Sequence, residues 1–128
     1  GAFTLSFVRP QQLVVASLAA SPRVNENGDK PGLLGLPVIP AHDVDAVLVE
    51  DAYLQLECRL EKFVHGFDAY SLIAGKIVSA HIDEDALRIS DADEQDALRK
   101  APLLAYLHPG RFAEIRETYA FPFPTGYD

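Results

Sequence analysis

Apolar and polar positions alternate with a period of two through the middle of this chain, and the other segments are best read around that pattern. Leu54, Leu56, Cys58 and Leu60 alternate with Gln55, Glu57, Arg59 and Glu61, the spacing that sends successive side chains to opposite faces of a strand. The pattern predicts one core face and one wet face. A second run, from Ser71 to Ile82, is small and β-branched with apolar residues on both faces, which predicts a central strand or one covered by a partner. His65-Gly66-Phe67-Asp68 joins the two arms, with Gly and Asp suited to a hairpin loop. At ~3.3 Å per residue each arm spans roughly 35–40 Å, closer to the needs of a small curved barrel than of an open sheet. Gly75, inside the second arm, is expected to mark the bend.

The flanking segments follow from the same reasoning. Phe3, Leu5 and Phe7 alternate with Thr4 and Ser6, predicting a half-buried strand whose edge needs a partner. Pro10 suits a first helical turn, and Leu13, Val14, Ser17 and Leu18 share one helical face, so a helix of about three turns is expected before Ser21-Pro22. Residues 21–40, SPRVNENGDKPGLLGLPVIP, read as a long loop carrying the cations Arg23 and Lys30. Such a loop is either a surface excursion or the wall or lid of a ligand site. Val44–Val49 predicts a short strand leading into the hairpin, and Asp85–Ile89 is open between a helical turn and a strand end. Asp93–Lys100 places acids first and bases last, ahead of Pro102, the charge order of a short helix. Leu103–Leu107 predicts a buried strand, His108-Pro109-Gly110 a turn and Arg111–Ile115 a last ordered piece. In the tail, Tyr119, Phe121 and Phe123 are separated by Ala120 and Pro122, so it is expected to lie extended across its own surface or a second subunit's.

Composition narrows the function. A chain of 128 residues suits one domain with a core that needs no disulfide. Its single cysteine, Cys58, falls on the apolar strand face and reads as a small core residue. A reducing, cytoplasmic setting goes with that. With 11 Lys+Arg against 19 Asp+Glu the net charge is −8, which repels phosphate backbones, and no basic stripe with interleaved aromatics argues for nucleic acid. No leader pattern or apolar run of the ~20 residues that span a bilayer is present, so neither export nor membrane insertion is expected. The acids between Asp83 and Asp96 read as a solvated surface. His42, Asp43 and Asp45 do not converge at their spacing, so no metal site is expected, and His65 and His81 read as structural or solvent-exposed. Phosphate-loop, dinucleotide, nucleophile-elbow and zinc motifs do not occur, and no Ser/His/Asp arrangement argues for a hydrolase.

The order GAFTLSF, helix, ASPRVNENGDKPGL, AYLQLECRLEKFVHGFDAYSLIAGKIVSAHIDEDAL and KAPLLAYLHPGRFAEIRETYAFPFP resembles the flavin reductase-like proteins, particularly the flavoredoxin-type branch. The LECRLE…LIAGKIVSAHID hairpin and the PLLAYLHPGRFAEI ending carry most of the likeness. The resemblance implies a mostly β (α+β) fold, an FMN-binding split β-barrel of Greek-key-like topology with two short helices. It further implies that residues 1–128 are a single domain forming the C-terminal portion of such a barrel, since family members carry further strands ahead of the position of Gly1. A homodimer formed through the hairpin and the aromatic tail is implied, as is non-covalent FMN reduced by NAD(P)H or a partner protein, with hydride passing through flavin N5. The cofactor carries the redox step, so no catalytic side chain is assigned.

For the cofactor, Ser21, Arg23 and Lys30 are candidates to contact phosphates of FMN or of a nicotinamide, against a reading as ordinary solvated loop residues. His108, Arg111 and Phe112 lie where the family's ending approaches the flavin or its substrate, against a turn histidine and a core aromatic. Tyr119, Phe121 and Phe123 would cover the pocket or form a subunit contact. The expected function is that of an FMN-binding flavoprotein, an NAD(P)H-dependent flavin reductase-like oxidoreductase. The alternative is a non-catalytic dimeric split-barrel binding or assembly module without flavin.

Overall fold

A computed structural model describes residues 1–87, 94–119, 121–122 and 124–126. The period-two segments form β1 (Ala2–Phe7), β4 (Leu54–Phe67) and β5 (Tyr70–Ile82), an antiparallel sheet with β4 in the middle. Between β1 and β4 run a 3₁₀ turn (Pro10–Gln12), α1 (Leu13–Ala19), α2 (Pro31–Leu34), β2 (Val38–Pro40) and β3 (Val47–Val49). A second 3₁₀ turn (Glu84–Ala86), α3 (Glu94–Lys100), β6 (Leu103–Leu107) and β7 (Arg111–Ile115) follow β5. β2 pairs with β3 and β6 with β7 as separate ribbons. The fold is mostly β with short helices, as expected, although among the described residues no sheet closes on itself.

The hairpin departs from expectation in three details. β4 runs on through His65 and Gly66 to Phe67, and the reversal is made by Asp68 and Ala69, with Asp68 at φ 53°, a left-handed conformation Asp tolerates. Gly66, at φ 109°, lies within a register shift between Val64 and Phe67. β5 is an edge strand among the described residues, with Leu72, Ile73 and Ile77 exposed, so its two apolar faces are those of a strand awaiting cover rather than a central one. Further shifts at Glu57/Cys58 and Leu60/Lys62 twist the pair. Gly75 faces Leu60 beside the second of these. A Cβ there would stand 2.5 Å from Phe3 Cε1, so the glycine makes room for the ring.

The expectation of a wet face opposite a core face is overturned. Register places Phe3, Leu5, Phe7, Leu54, Leu56 and Cys58 on one side and Thr4, Ser6, Gln55 and Glu57 on the other. Glu57 is fully buried and Gln55 is 9% exposed, whereas Leu5 is 46% and Phe7 42% exposed. The cause is the segment around β3, which lies over the polar face and is held by side chain to backbone bonds. Thr4 Oγ1 donates to the Val47 carbonyl at 2.5 Å, the Val49 N–H donates to Ser6 Oγ at 3.1 Å, and Gln55 Nε2 donates to the Val49 carbonyl at 2.6 Å. Leu48, between them in sequence, is fully buried, as is Cys58, which sits in the core as expected.

Elsewhere, the 3₁₀ turn and α1 make up the expected first helix. The 21–40 segment is not a structureless loop: it contains α2 and all of β2. Only Val47–Val49 of the predicted Val44–Val49 strand is extended in a ladder. β6 is half-buried to exposed rather than buried, since its ribbon pairs only with β7. α3 has Glu94 and Asp96 in its first turn and Arg99 and Lys100 in its last, as predicted. Residues 88–93, Ala120, Phe123 and 127–128, with the expectations for Arg88, Ile89, Asp93 and Phe123, lie outside the described residues.

Candidate functional site

The first candidate site is built where α1 ends. The Ser21 N–H continues to the Leu18 carbonyl at 3.1 Å, and Pro22 forbids another turn. Asn25 then folds the chain back: its Oδ1 accepts the N–H groups of Asn27 at 3.0 Å and Asp29 at 2.8 Å, with Gly28 at φ 84°. Pro31 opens α2, and Gly32 lies so close to α1 that a Cβ would fall 2.1 Å from the Leu18 carbonyl oxygen. The glycine permits this contact. Between α1, the Asn25 turn and α2 is a cavity of about 730 Å³ lined by Leu18, Ser21, Arg23, Val24, Asn25, Glu26, Pro31 and Gly32. Its size falls in the range of small-molecule sites, and it combines apolar walls with a guanidinium, a hydroxyl, an amide and the Glu26 carboxylate.

Two of the six predicted cofactor residues, Ser21 and Arg23, therefore share this cavity. Lys30 precedes Pro31 at the start of α2 but does not line it. His108, Arg111 and Phe112 belong to the β6–β7 ribbon, all three exposed, with Arg111 opposite Leu107 and Phe112 opposite Tyr106. They do not line the cavity either. Tyr119 and Phe121 are exposed, at 83% and 67%.

The second site escaped the sequence reading. Glu57 Oε1 accepts the His42 N–H at 2.9 Å and contacts His81 Nε2 at 3.1 Å. Its Oε2 accepts the N–H groups of Asp43 at 2.6 Å and Val44 at 3.2 Å. Burial pushes this carboxyl's pKa up, but the bonds from His42, Asp43 and His81 outweigh it and hold the group down to about 2. The imidazoles of His42 and His81 meet edge to face, ring centroids 4.7 Å apart, and Ser79 Oγ lies 3.3 Å from His81 Nε2. Asp43 thus contributes its backbone rather than its carboxylate. The signal lay in pairing, not spacing: Glu57 faces Ser79 across the β4–β5 ladder and His81 follows two residues later on the same face.

The sequence profile of the Flavin reductase like domain matches residues 1–115. The chain belongs to the flavin reductase-like family. Among solved structures of similar fold, flavoredoxin of Desulfovibrio vulgaris (Miyazaki F) is 26% identical with a TM-score of 0.70, covering 98% of this chain and 65% of its own. The 2-nitrobenzoate 2-nitroreductase of Pseudomonas fluorescens is 18% identical, TM-score 0.72, over 99% of this chain and 61% of that one. An FMN-binding protein from Thermus thermophilus, solved with 1-cyclohex-2-enone, is 20% identical, TM-score 0.64, over 93% and 61%. This flavin reductase-like chain thus spans less than two thirds of the length of these proteins. No curated protein matches it. No helix among the described residues is long and apolar enough to cross a membrane.

Proposed function

We propose that this protein is an FMN-binding flavoprotein with NAD(P)H-dependent, flavin reductase-like oxidoreductase activity. The observation that carries the reading is the α1–α2 cavity, with Ser21 and Arg23 in its wall, in a chain of this family. The residues present fit part of a flavin nucleotide. Arg23 and Ser21 would take an anionic phosphate, and Leu18, Val24 and Pro31 would bound an apolar, planar portion and exclude water from it. When bound, the flavin supplies the hydride-accepting ring, and the chain supplies position and charge. Lys30, at the cavity's edge in sequence, adds positive potential, and His108, Arg111 and Phe112 are assigned to the substrate side or to a second subunit. Family likeness to flavoredoxin and to an FMN-binding protein supports FMN as the cofactor.

A homodimer goes with this reading. On the distal half of the hairpin Phe63 and Ile73 are exposed on one face and Leu72 and Tyr70 on the other, apolar surface that a second copy clasping the hairpin end would cover. A cytoplasmic setting also goes with it, since the one cysteine is buried and free.

The test is titration of FMN with the purified chain, followed by flavin fluorescence, with NADH and NADPH oxidation measured in parallel. Near-stoichiometric quenching and flavin-dependent oxidation are expected. Arg23→Ala is expected to weaken FMN binding about tenfold, the loss of one charge-assisted hydrogen bond. Unquenched FMN over saturating protein would leave the alternative, a dimeric module without flavin.

A further inference from the structure

The sheet's polar face gathers three ligand-type groups from three separate segments: His42 from the loop after β2, Glu57 from β4 and His81 from the end of β5. One potential donor atom from each lies within 4.8 Å of the other two. We propose that His42, Glu57 and His81 form a binding site for a divalent transition metal ion of the zinc class, with solvent completing its coordination.

Three features of the cluster favour a metal over a packed polar contact. First, the donor set is two imidazoles and one carboxylate, the chemistry that suits Zn²⁺, Co²⁺ and Ni²⁺, and three protein ligands leave a position open for water. Second, the carboxylate is held in place by bonds that a metal would not have to break. Asp43 and Val44 N–H groups occupy Oε2 and the His42 N–H one side of Oε1, so the ion replaces the proton shared between Oε1 and His81 Nε2 and displaces the long, 3.3 Å contact of Ser79 Oγ with that nitrogen. The present separation of those two atoms, 3.1 Å, is close to the roughly 3.3 Å between neighbouring ligands on a tetrahedral ion with bonds of ~2.0–2.1 Å. Third, the ring nitrogens of His42 make no hydrogen bond among the described residues, although the ring stands against His81. His42 is exposed while Glu57 is buried, so the His42 ring has room to turn towards the other two donors and solvent reaches the open position. The site is independent of the α1–α2 cavity, none of whose lining residues it shares.

Co²⁺ and Zn²⁺ test this on residues 1–128 carrying no polyhistidine tag. Co²⁺ is expected to give visible d–d absorption that saturates at one equivalent, and Zn²⁺ to displace it and raise the melting temperature. His42→Ala changes an exposed ring and leaves the backbone N–H on Glu57, so it is expected to fold and to weaken binding at least about tenfold; loss of a mere outer-shell partner already costs about that much. His81→Gln is expected to do the same while its amide retains a donor for Glu57, covering a His81→Ala variant that fails to fold. His65→Ala, a histidine outside the cluster, is expected to bind as wild type. No absorption band or heat of binding up to about millimolar metal, or unchanged affinity in folded His42→Ala and His81→Gln, would overturn the assignment.

Discussion

The two faces of the β1–β4–β5 sheet have exchanged their usual environments. On the polar face, Thr4, Ser6, Gln55 and Glu57 each hold a backbone group of the 42–49 segment, and the fully buried residues Glu57 and Leu48 lie there and under it. On the apolar face Cys58 is buried, yet Leu5, Phe7, Ile77 and Ile82 remain between 42% and 54% exposed. The polar side is sealed because each side chain finds a backbone partner, which removes the cost of drying it. The apolar side is left to whatever lies against it, since hydrophobic attraction is non-directional and specifies no particular cover. Stability in this chain is therefore expected to depend more on a few hydroxyl, amide and carboxylate groups than on the leucines and phenylalanines beside them.

The largest expected effect is at Glu57. Glu57→Gln turns one acceptor oxygen into an N–H donor facing backbone donors, and Glu57→Ala leaves the N–H groups of His42, Asp43 and Val44 without their acceptor. Both are expected to lower the melting temperature more than any other change considered, Glu57→Ala to the point of losing a cooperative transition. A melting curve like that of wild type would dismantle the account of the polar face. The same carboxylate sets an acid limit. Its pKa is about 2 in the folded chain against an ordinary 4.5, so as pH falls the unfolded chain takes up the proton first. The stabilisation is complete above about pH 4.5 and is lost as pH falls towards about 2. Urea unfolding across that range, in metal-free buffer, is expected to show declining stability in wild type and a flatter profile in Glu57→Gln.

Next is the one crowded point on the apolar face. Gly75→Ala puts a Cβ 2.5 Å from the Phe3 ring and is expected to cost about 1–3 kcal/mol by overpacking. Adding Phe3→Leu removes the ring and should recover part of that loss, a coupling a double-mutant cycle measures. Additive losses would mean that the glycine serves the strand bend alone.

The comparison sharpens within β1, where Ser6 and Leu5 are neighbours on opposite faces. Ser6→Ala leaves the Val49 N–H without its acceptor and is expected to cost about 1 kcal/mol. Leu5→Thr keeps β propensity and removes a side chain already 46% exposed, with an expected cost of roughly 0.5 kcal/mol or less. Chemical denaturation of the two variants decides the order. Were Leu5→Thr the costlier, the apolar face would be covered in solution, and sedimentation would show whether a second copy covers it.

This exchange of faces also explains what could be read from the sequence. The alternation in Phe3–Phe7 and Leu54–Leu60 is local, so both strands and the side on which each residue falls were legible, as was the acid-to-base order of α3. Which side would be dry was not. That depends on whether the 42–49 segment returns to lie over Thr4 and Glu57, a contact spanning 43 residues at Thr4–Val47 that no window of periodicity contains. The candidate sites divide in the same way. Ser21 and Arg23 are close in sequence to the helix end that shapes the cavity they line, so a local reading suffices to group them. His42, Glu57 and His81 are brought together only by the β4–β5 register and the loop after β2, and the neighbouring Asp43 and Asp45 offered a false grouping.

The last expected effect lies at the end of the sheet, where neither face applies. Arg9, just past β1, binds Asp83 at 2.5 Å and Asp85 at 2.9 Å just past β5, bridging the two outer strands across the end of β4. Its pKa is raised, chiefly by the bond to Asp85, against a smaller opposing effect of burial. Both aspartates are about half exposed, so water screens much of the attraction, and Arg9→Gln is expected to cost no more than about 1 kcal/mol. At ~1 M salt, where the screening length falls to ~3 Å, the difference from wild type is expected to shrink towards zero. A loss that persists undiminished in salt would show that Arg9 acts through its packing against the 3₁₀ turn, where its backbone N–H already holds Gln12 Oε1 at 2.9 Å, rather than through charge.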